Sequence, residues 1–240
     1  FREKVYYISL GKSHVLCVAD GKAYSWGMNY YGMCGLSGKG INECISKPTL
    51  IEALKTNIKM CCVSDTHSLV LTTNGEIYAF GNNMYGKLGI GDLNKYFTIG
   101  ATPMEAEPIL VKNVTSAQYI ACSNSHSACV MKYNQDLKDS YSVYTWGSGF
   151  NGKLGHNGSQ DSYEPKVVEE LEMKFNEAQS RKLYFIKVAL GEEFSIALDE
   201  CGKLWGWGKK KYLPGLGSDP EGKAENPIPL LEKKTFKFIA

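Results

Sequence analysis

Short runs of apolar and polar residues, broken by glycine-bearing turns, dominate the chain. One stretch shows the pattern whole. Ile58-Lys-Met-Cys-Cys-Val63 reads as a strand, His67-Ser-Leu-Val-Leu-Thr72 as a second, and Glu76-Ile-Tyr-Ala-Phe80 as a third after the turn Thr73-Asn-Gly75. Asn-Gly between two apolar-rich runs signals a tight hairpin, with positive φ expected at both central residues. Asp20-Gly21 offers the same turn earlier in the chain, and Glu200-Cys-Gly202 supplies a glycine later. Between them, the polar stretch Tyr133 to Ser142 replaces the tight turn, so an extended hairpin is predicted there. Helical spacing is confined to Val168, Leu171, Phe175 and Ala178, which predicts one short inserted helix near 167–179.

These runs repeat. Tyr24-Ser-Trp26-Gly27 is followed by Tyr31-Gly-Met-Cys-Gly35, and Tyr78-Ala-Phe80-Gly81 by Tyr85-Gly-Lys-Leu-Gly89. Tyr144-Thr-Trp146-Gly147 is followed by Asn151-Gly-Lys-Leu-Gly155, and Trp205-Gly-Trp207-Gly208 by Pro214-Gly-Leu-Gly217. The second aromatic of each pair stands nine, nine, nine and ten residues before the last glycine, while successive copies are 54, 66 and 61 residues apart. A fixed inner spacing within a variable outer period places the insertions in loops. Upstream, His14, His67 and His126 share a position that Phe194 fills in the fourth copy, followed by Val15, Ser68, Ser127 and Ser195. Downstream, Pro48, Pro108, Pro165 and Pro227 each precede a triplet with at least two apolar residues. Aromatics two apart share one strand face, so each pair is placed between neighbouring sheets. Four-stranded sheets repeated radially imply an all-β chain, a β-propeller. The repeats span approximately 1–54, 55–113, 114–181 and 182–234, and 235–240 matches the first strand of a fifth.

Composition narrows the field. A formal net charge of +2 gives no basic excess for nucleic acid, and no 18-residue apolar window predicts a membrane-spanning helix. No basic-then-apolar leader pattern opens the sequence. The eight cysteines include no Cys-x-x-Cys pair and read as small buried hydrophobes in a reducing compartment. The sequons at Asn113 and Asn157 read as chance matches. No phosphate-binding loop, His-Glu-x-x-His or Gly-x-Ser-x-Gly occurs, so no catalytic residue, metal or cofactor is expected. His156 is expected to be a solvated loop residue.

Ser-His-Ser, Asp-Gly-x-x-Tyr-x-Trp-Gly and Tyr-Gly-x-Leu-Gly followed by Pro together resemble the regulator of chromosome condensation repeat, over essentially the whole chain. Kelch and tryptophan–aspartate signatures are missing. The resemblance implies a propeller that usually closes seven blades, of which four are visible. At roughly 60 residues each, seven ask for roughly 420. The chain is therefore expected to be part of a longer propeller, or an arc completed by a partner. Its terminal faces would expose apolar surface and favour self-association.

The family includes exchange factors for the small GTPase Ran, scaffolds, ubiquitin-ligase modules and an ultraviolet receptor. The receptor's Gly-Trp-Arg-His-Thr motif is absent, and all four tryptophans belong to the repeat. The expected function is an intracellular scaffold for a protein partner, a small GTPase or a multiprotein assembly such as one in a cilium or cytoskeleton. Nucleotide exchange on a Ran-like GTPase and substrate recruitment for a ubiquitin ligase are the alternatives. The expected framework is His14, His67, His126, Trp26, Phe80, Trp146, Trp207, Gly35, Gly89, Gly155 and Gly217. The histidines admit two readings, as framework hydrogen-bonders or as part of an exchange face with Asp65 beside His67. Candidate partner-binding residues are Asp65 and His67, Asp136, Lys138 and Asp139 in the extended hairpin, and Tyr96 and Phe97 in the insertion Gly91 to Glu107. Tyr30, Tyr31 and Tyr85 share one loop register.

Overall fold

The computed structural model describes residues 3–91, 102–133, 140–176, 181–215, 222–232 and 234–239. Four antiparallel four-stranded sheets follow one another along the chain. The first holds β1 (Val5–Leu10), β2 (His14–Ala19), β3 (Lys22–Met28) and β4 (Cys44–Leu50). The second holds β5 (Ile58–Val63), β6 (His67–Thr72), β7 (Ile77–Asn82) and β8 (Met104–Leu110). The third holds β9 (Ala117–Cys122), β10 (His126–Lys132), β11 (Tyr141–Gly147) and β12 (Ser162–Val167). A two-stranded hairpin, β13 (Phe175–Asn176) with β14 (Arg181–Lys182), precedes the last sheet. That sheet holds β15 (Phe185–Leu190), β16 (Phe194–Asp199), β17 (Leu204–Lys209) and β18 (Lys223–Leu230).

Each sheet is an up-and-down meander, and its first strand adjoins the first strand of the next: β1 meets β5, β5 meets β9, and β9 meets β15. The blades converge there, so β1, β5, β9 and β15 are innermost. The all-β propeller architecture expected from the repeat is the one observed.

Most of the core lies between blades, while Leu198, Leu204, Leu213, Ala224 and Leu230 cluster within the last one. Leu16, Val18, Ile58, Cys61 and Phe80 form one cluster across blades one and two. Met60, Leu71, Leu88, Ile120 and Trp146 form the next, and Val130, Val143, Phe185, Val188 and Trp207 the third. Phe80, Trp146 and Trp207 are completely buried, and burying an aromatic of this size contributes about 2–3 kcal/mol. Trp26, in the first blade, is half-buried.

Three local expectations need correction. The helix runs only over Glu169–Glu172, named α1, with Leu171 buried. The segment beyond it turns into β13, which pairs with β14 instead of continuing the helix. At Asn74-Gly75 only the glycine has positive φ, +83°, because the loop is longer than a two-residue turn: Thr72 N–H donates to Glu76 O and Gly75 N–H to Thr72 O. Asp20 and Gly21 do both take positive φ, at 46° and 74°. His156 is half-buried, with Nε2 2.9 Å from Thr145 Oγ1, and burial pushes its pKa down to about 4.

Residues 234–239 contain no assigned strand. Phe236 N–H nevertheless donates to Gly202 O, as Ile58 N–H does to Gly21 O and Ala117 N–H to Gly75 O.

Candidate functional site

A polar relay crosses every blade interface. His14 Nε2 lies 2.8 Å from Ser68 Oγ, His67 Nε2 2.9 Å from Ser127 Oγ, and His126 Nε2 3.0 Å from Ser195 Oγ. Each serine hydroxyl spends its proton on a carbonyl of the preceding blade, Met33 O, Lys87 O or Lys153 O. The serine must therefore accept from the ring, which fixes the proton on Nε2. The other ring nitrogen then accepts: Ser64 Oγ donates to His67 Nδ1 at 2.7 Å and Ser123 Oγ to His126 Nδ1 at 2.6 Å. In the first blade Gly11 stands where those serines stand, and His14 Nδ1 has no partner among the described residues. Burial pushes His14 down to about 4 and holds His67 and His126 well below the usual imidazole range, with Lys87 and Lys153 adding to the effect. All three rings are neutral at pH 7. Trp146 Nε1 also donates to Lys87 O, at 2.9 Å. Its ring lies against Gly89, where a Cβ would stand 2.8 Å from Nε1. Phe80 on Gly35 and Trp207 on Gly155 repeat that seat.

The framework leaves one end of the axis free to vary. In an antiparallel meander the β1–β2 turn and the β3–β4 connection lie at the same end. The four inner turns carry Lys12, Asp65, Asn124 and Glu192 in one register, and they line a cavity of about 290 Å³. Lys12, Asn124 and Glu192 are exposed and Asp65 is half-buried. Lys12 N–H donates to Asp65 Oδ1 at 3.3 Å, while Asp65 and Asn124 exchange two bonds of 3.1 Å. Two buried cations brace these turns from beneath. Lys87 Nζ donates to Thr66 Oγ1 at 2.8 Å and to Asn124 O at 3.0 Å. Lys153 Nζ donates to Ser125 Oγ at 2.6 Å and to Glu192 O at 3.3 Å. Burial pushes Lys87 down to about 8; it also lowers Lys153, against opposing pulls from Glu193 and Asp161. In the first blade the same position is Met33, fully buried.

Around this mouth the β3–β4 connections begin in single-turn 3₁₀ helices, Tyr30–Gly32, Met84–Gly86 and Phe150–Gly152. Their lead residues Tyr30, Met84 and Phe150 are exposed, Phe150 by 62%, and so is Tyr85 beside Met84. The glycine of each turn is driven against the outer strand of the next blade, Gly32 on Ala106, Gly86 on Tyr163 and Gly152 on Glu225. The exposed aromatics are thus held on rigid backbone.

Among the candidate partner residues, Asp65 sits in the mouth. His67 is fully buried with both ring nitrogens engaged, so it offers a partner no surface. Tyr96, Phe97, Asp136, Lys138, Asp139 and the framework Gly217 lie outside the described residues. The bracing lysines have a signal in the sequence, a Lys recurring between Gly and a buried Leu in two copies.

The repeat that builds this frame has a known counterpart. Models of the regulator of chromosome condensation (RCC1) repeat match residues 20–71, 74–130 and 142–198, and a second model of that repeat matches 58–87. The chain belongs to the RCC1 repeat family. Each matched unit runs from the third strand of one blade into the second strand of the next, so the RCC1 unit straddles a blade interface. The human E3 ubiquitin-protein ligase HERC2 is 31% identical over 99% of this chain, which spans 4% of that protein. The ultraviolet-B receptor UVR8 of Arabidopsis thaliana is 30% identical over 87% of the chain and 42% of the receptor. Among solved structures, human WBSCR16 superposes with TM-score 0.74 at 21% identity, covering 96% of this chain and 55% of that one. Prp20p of Saccharomyces cerevisiae, a protein with binding properties to Gsp1p and histones, gives 0.68 at 19% identity, covering 96% and 51%. The chain thus spans about half of these solved propellers. No helix among the described residues is long and apolar enough to cross a membrane, and no group of three His, Cys, Asp or Glu residues among them could hold a metal ion.

Proposed function

We infer that this RCC1-type chain is an intracellular interaction module that binds a protein partner across the end of the propeller where the mouth and the exposed loop residues meet. A division within the register supports the reading. Inward positions repeat their residue type and are consumed in inter-blade bonds. The mouth positions Lys12, Asp65, Asn124 and Glu192 differ in every blade, and exposed Tyr30, Met84, Tyr85 and Phe150 surround them. Tyrosine, phenylalanine and methionine side chains held on rigid backbone are residue types enriched at protein interfaces.

A photo-crosslinking residue placed at Phe150 should trap one discrete protein in cells. The same residue at Lys55, exposed on the connection at the opposite end, should not. Adducts from neither site, or from Lys55 alone, would refute the reading.

The two acidic side chains at the mouth, Asp65 and Glu192, against one cation there, Lys12, favour a finer reading, a basic partner surface such as that of a small GTPase. Accelerated nucleotide release from a Ran-like GTPase, reduced by Asp65→Asn, would mark exchange activity. Likeness to a ubiquitin ligase along nearly the whole chain supports a third role, recruitment of substrates to a larger ligase. A ligase domain in the full-length gene would be required for it.

A further inference from the structure

Cys62 and Cys122 stand out among the eight cysteines. Cys17, Cys34, Cys61 and Cys129 are buried, and Cys44 and Cys201 are exposed. Cys62 is the next-to-last residue of the inner strand of blade two and Cys122 the last of that of blade three; both are partly exposed. Their sulfurs are 3.0 Å apart, about 1 Å beyond an S–S bond length. Neighbouring inner strands, fixed by the stacked blades, impose that approach across 60 residues of sequence. Cys122 also lines the cavity at the axial mouth, one residue before the Ser123-Asn124 turn. Two thiols held this close, one of them at the wall of an open cavity and both partly exposed, are placed for disulfide formation.

The two sulfurs are not equivalent. Cys62 Sγ accepts both from Cys122 Sγ–H and from Cys122 N–H, the latter at 3.1 Å. Hydrogen bonding from Cys122 holds Cys62 below the ordinary thiol range, whereas burial pushes Cys122 well above it. Cys62 is therefore the nucleophile and Cys122 the proton holder that resolves.

We propose that Cys62 and Cys122 form a reversible disulfide that joins the inner strands of blades two and three beside the axial mouth, with a peroxide as oxidant. The Cys62 thiolate attacks one peroxide oxygen; the O–O bond breaks and the leaving hydroxide takes a proton, giving Cys62 sulfenic acid and water. Cys122 sulfur then attacks Cys62 sulfur, the S–O bond breaks, and the departing hydroxyl leaves as water with the Cys122 proton. Two thiols lose two electrons and two protons, and one peroxide becomes two waters.

The test is peroxide treatment of the purified protein, alkylation of the remaining thiols, tryptic digestion and mass mapping. The expected product joins the peptides of residues 60–87 and 113–132 through Cys62 and Cys122, lighter by two hydrogens, and dithiothreitol separates it. Cys62→Ser should abolish the link and still fold, because Ser9 accepts from Val63 N–H in the equivalent place of the first interface. Separate alkylated peptides, or a link through Cys61 or Cys129, would overturn the proposal. The wild-type map decides the matter even if the variant fails to fold.

Discussion

Lowering the pH from 7 to 5.5 should weaken this fold sharply, and the histidine relay is the reason. His14 is 1% exposed and its pKa falls from 6.5 to about 4 through burial. Between those values the unfolded chain binds more protons than the folded one. Stability is therefore full above pH 6.5 and declines as pH falls toward 4. Linkage gives a loss of about 1.2 kcal/mol for His14 alone between pH 7 and 5.5. His67, His126 and His156 shift in the same direction, so the combined loss should exceed about 2 kcal/mol of a total that for domains is about 5–15. Urea denaturation at pH 7, 6 and 5.5 measures it directly. His14→Gln, which removes one titrating group whose Nδ1 has no partner, should flatten the slope. A loss below about 1 kcal/mol, or an unchanged slope in the variant, would show that the rings are not held neutral by burial.

Three substitutions probe the rest of the frame, each measured by urea or thermal denaturation. Gly89→Ala combines a φ of +70° with a Cβ pressed onto Trp146 and Val111, and should cost about 2–4 kcal/mol. Ser127→Ala strips His67 Nε2–H and Lys87 O of a partner at once, with an expected cost of about 2–4 kcal/mol. Lys87→Met copies the first blade's Met33 and exchanges a buried cation for an apolar chain, so it should change stability by less than about 1 kcal/mol, while Lys87→Ala, which also leaves a cavity, costs about 2–5.

The propeller was legible because its register is written several times over. A glycine nine residues from an aromatic means little once; repeated at Gly35, Gly89 and Gly155 it is a packing seat. Features decided by a single local segment were harder. Val168, Leu171, Phe175 and Ala178 have helical spacing, yet the chain leaves the helix after Glu172 because pairing with Arg181–Lys182 captures Phe175–Asn176. The polar character of His67 suggested a place at a partner surface, but hydroxyls from two blades satisfy it inside the protein. Nothing local marks Cys62 and Cys122 as neighbours, since only the stacking of blades brings residues 60 apart together. The mouth itself was half-legible. Asp65 shows itself by standing two residues before a repeated histidine, but nothing local separates the lysines beneath the turns from the rest of the Gly-Lys-Leu-Gly motif.

The relay also has a direction. A blade presents histidine on its leading side and serine on its trailing side, as a domino carries a number at each end. Blades two and three carry both, so their order could be exchanged by gene rearrangement without changing any histidine–serine match. Blade one bears His14 but Val15 in the serine position, and blade four bears Ser195 but Phe194 in the histidine position. Neither could take the place of blade two or three without leaving a mismatched joint. Two adjacent residues per repeat thus fix the places of the first and fourth blades but not the order of the middle two, and a misplaced first or fourth blade would carry its error at a known joint.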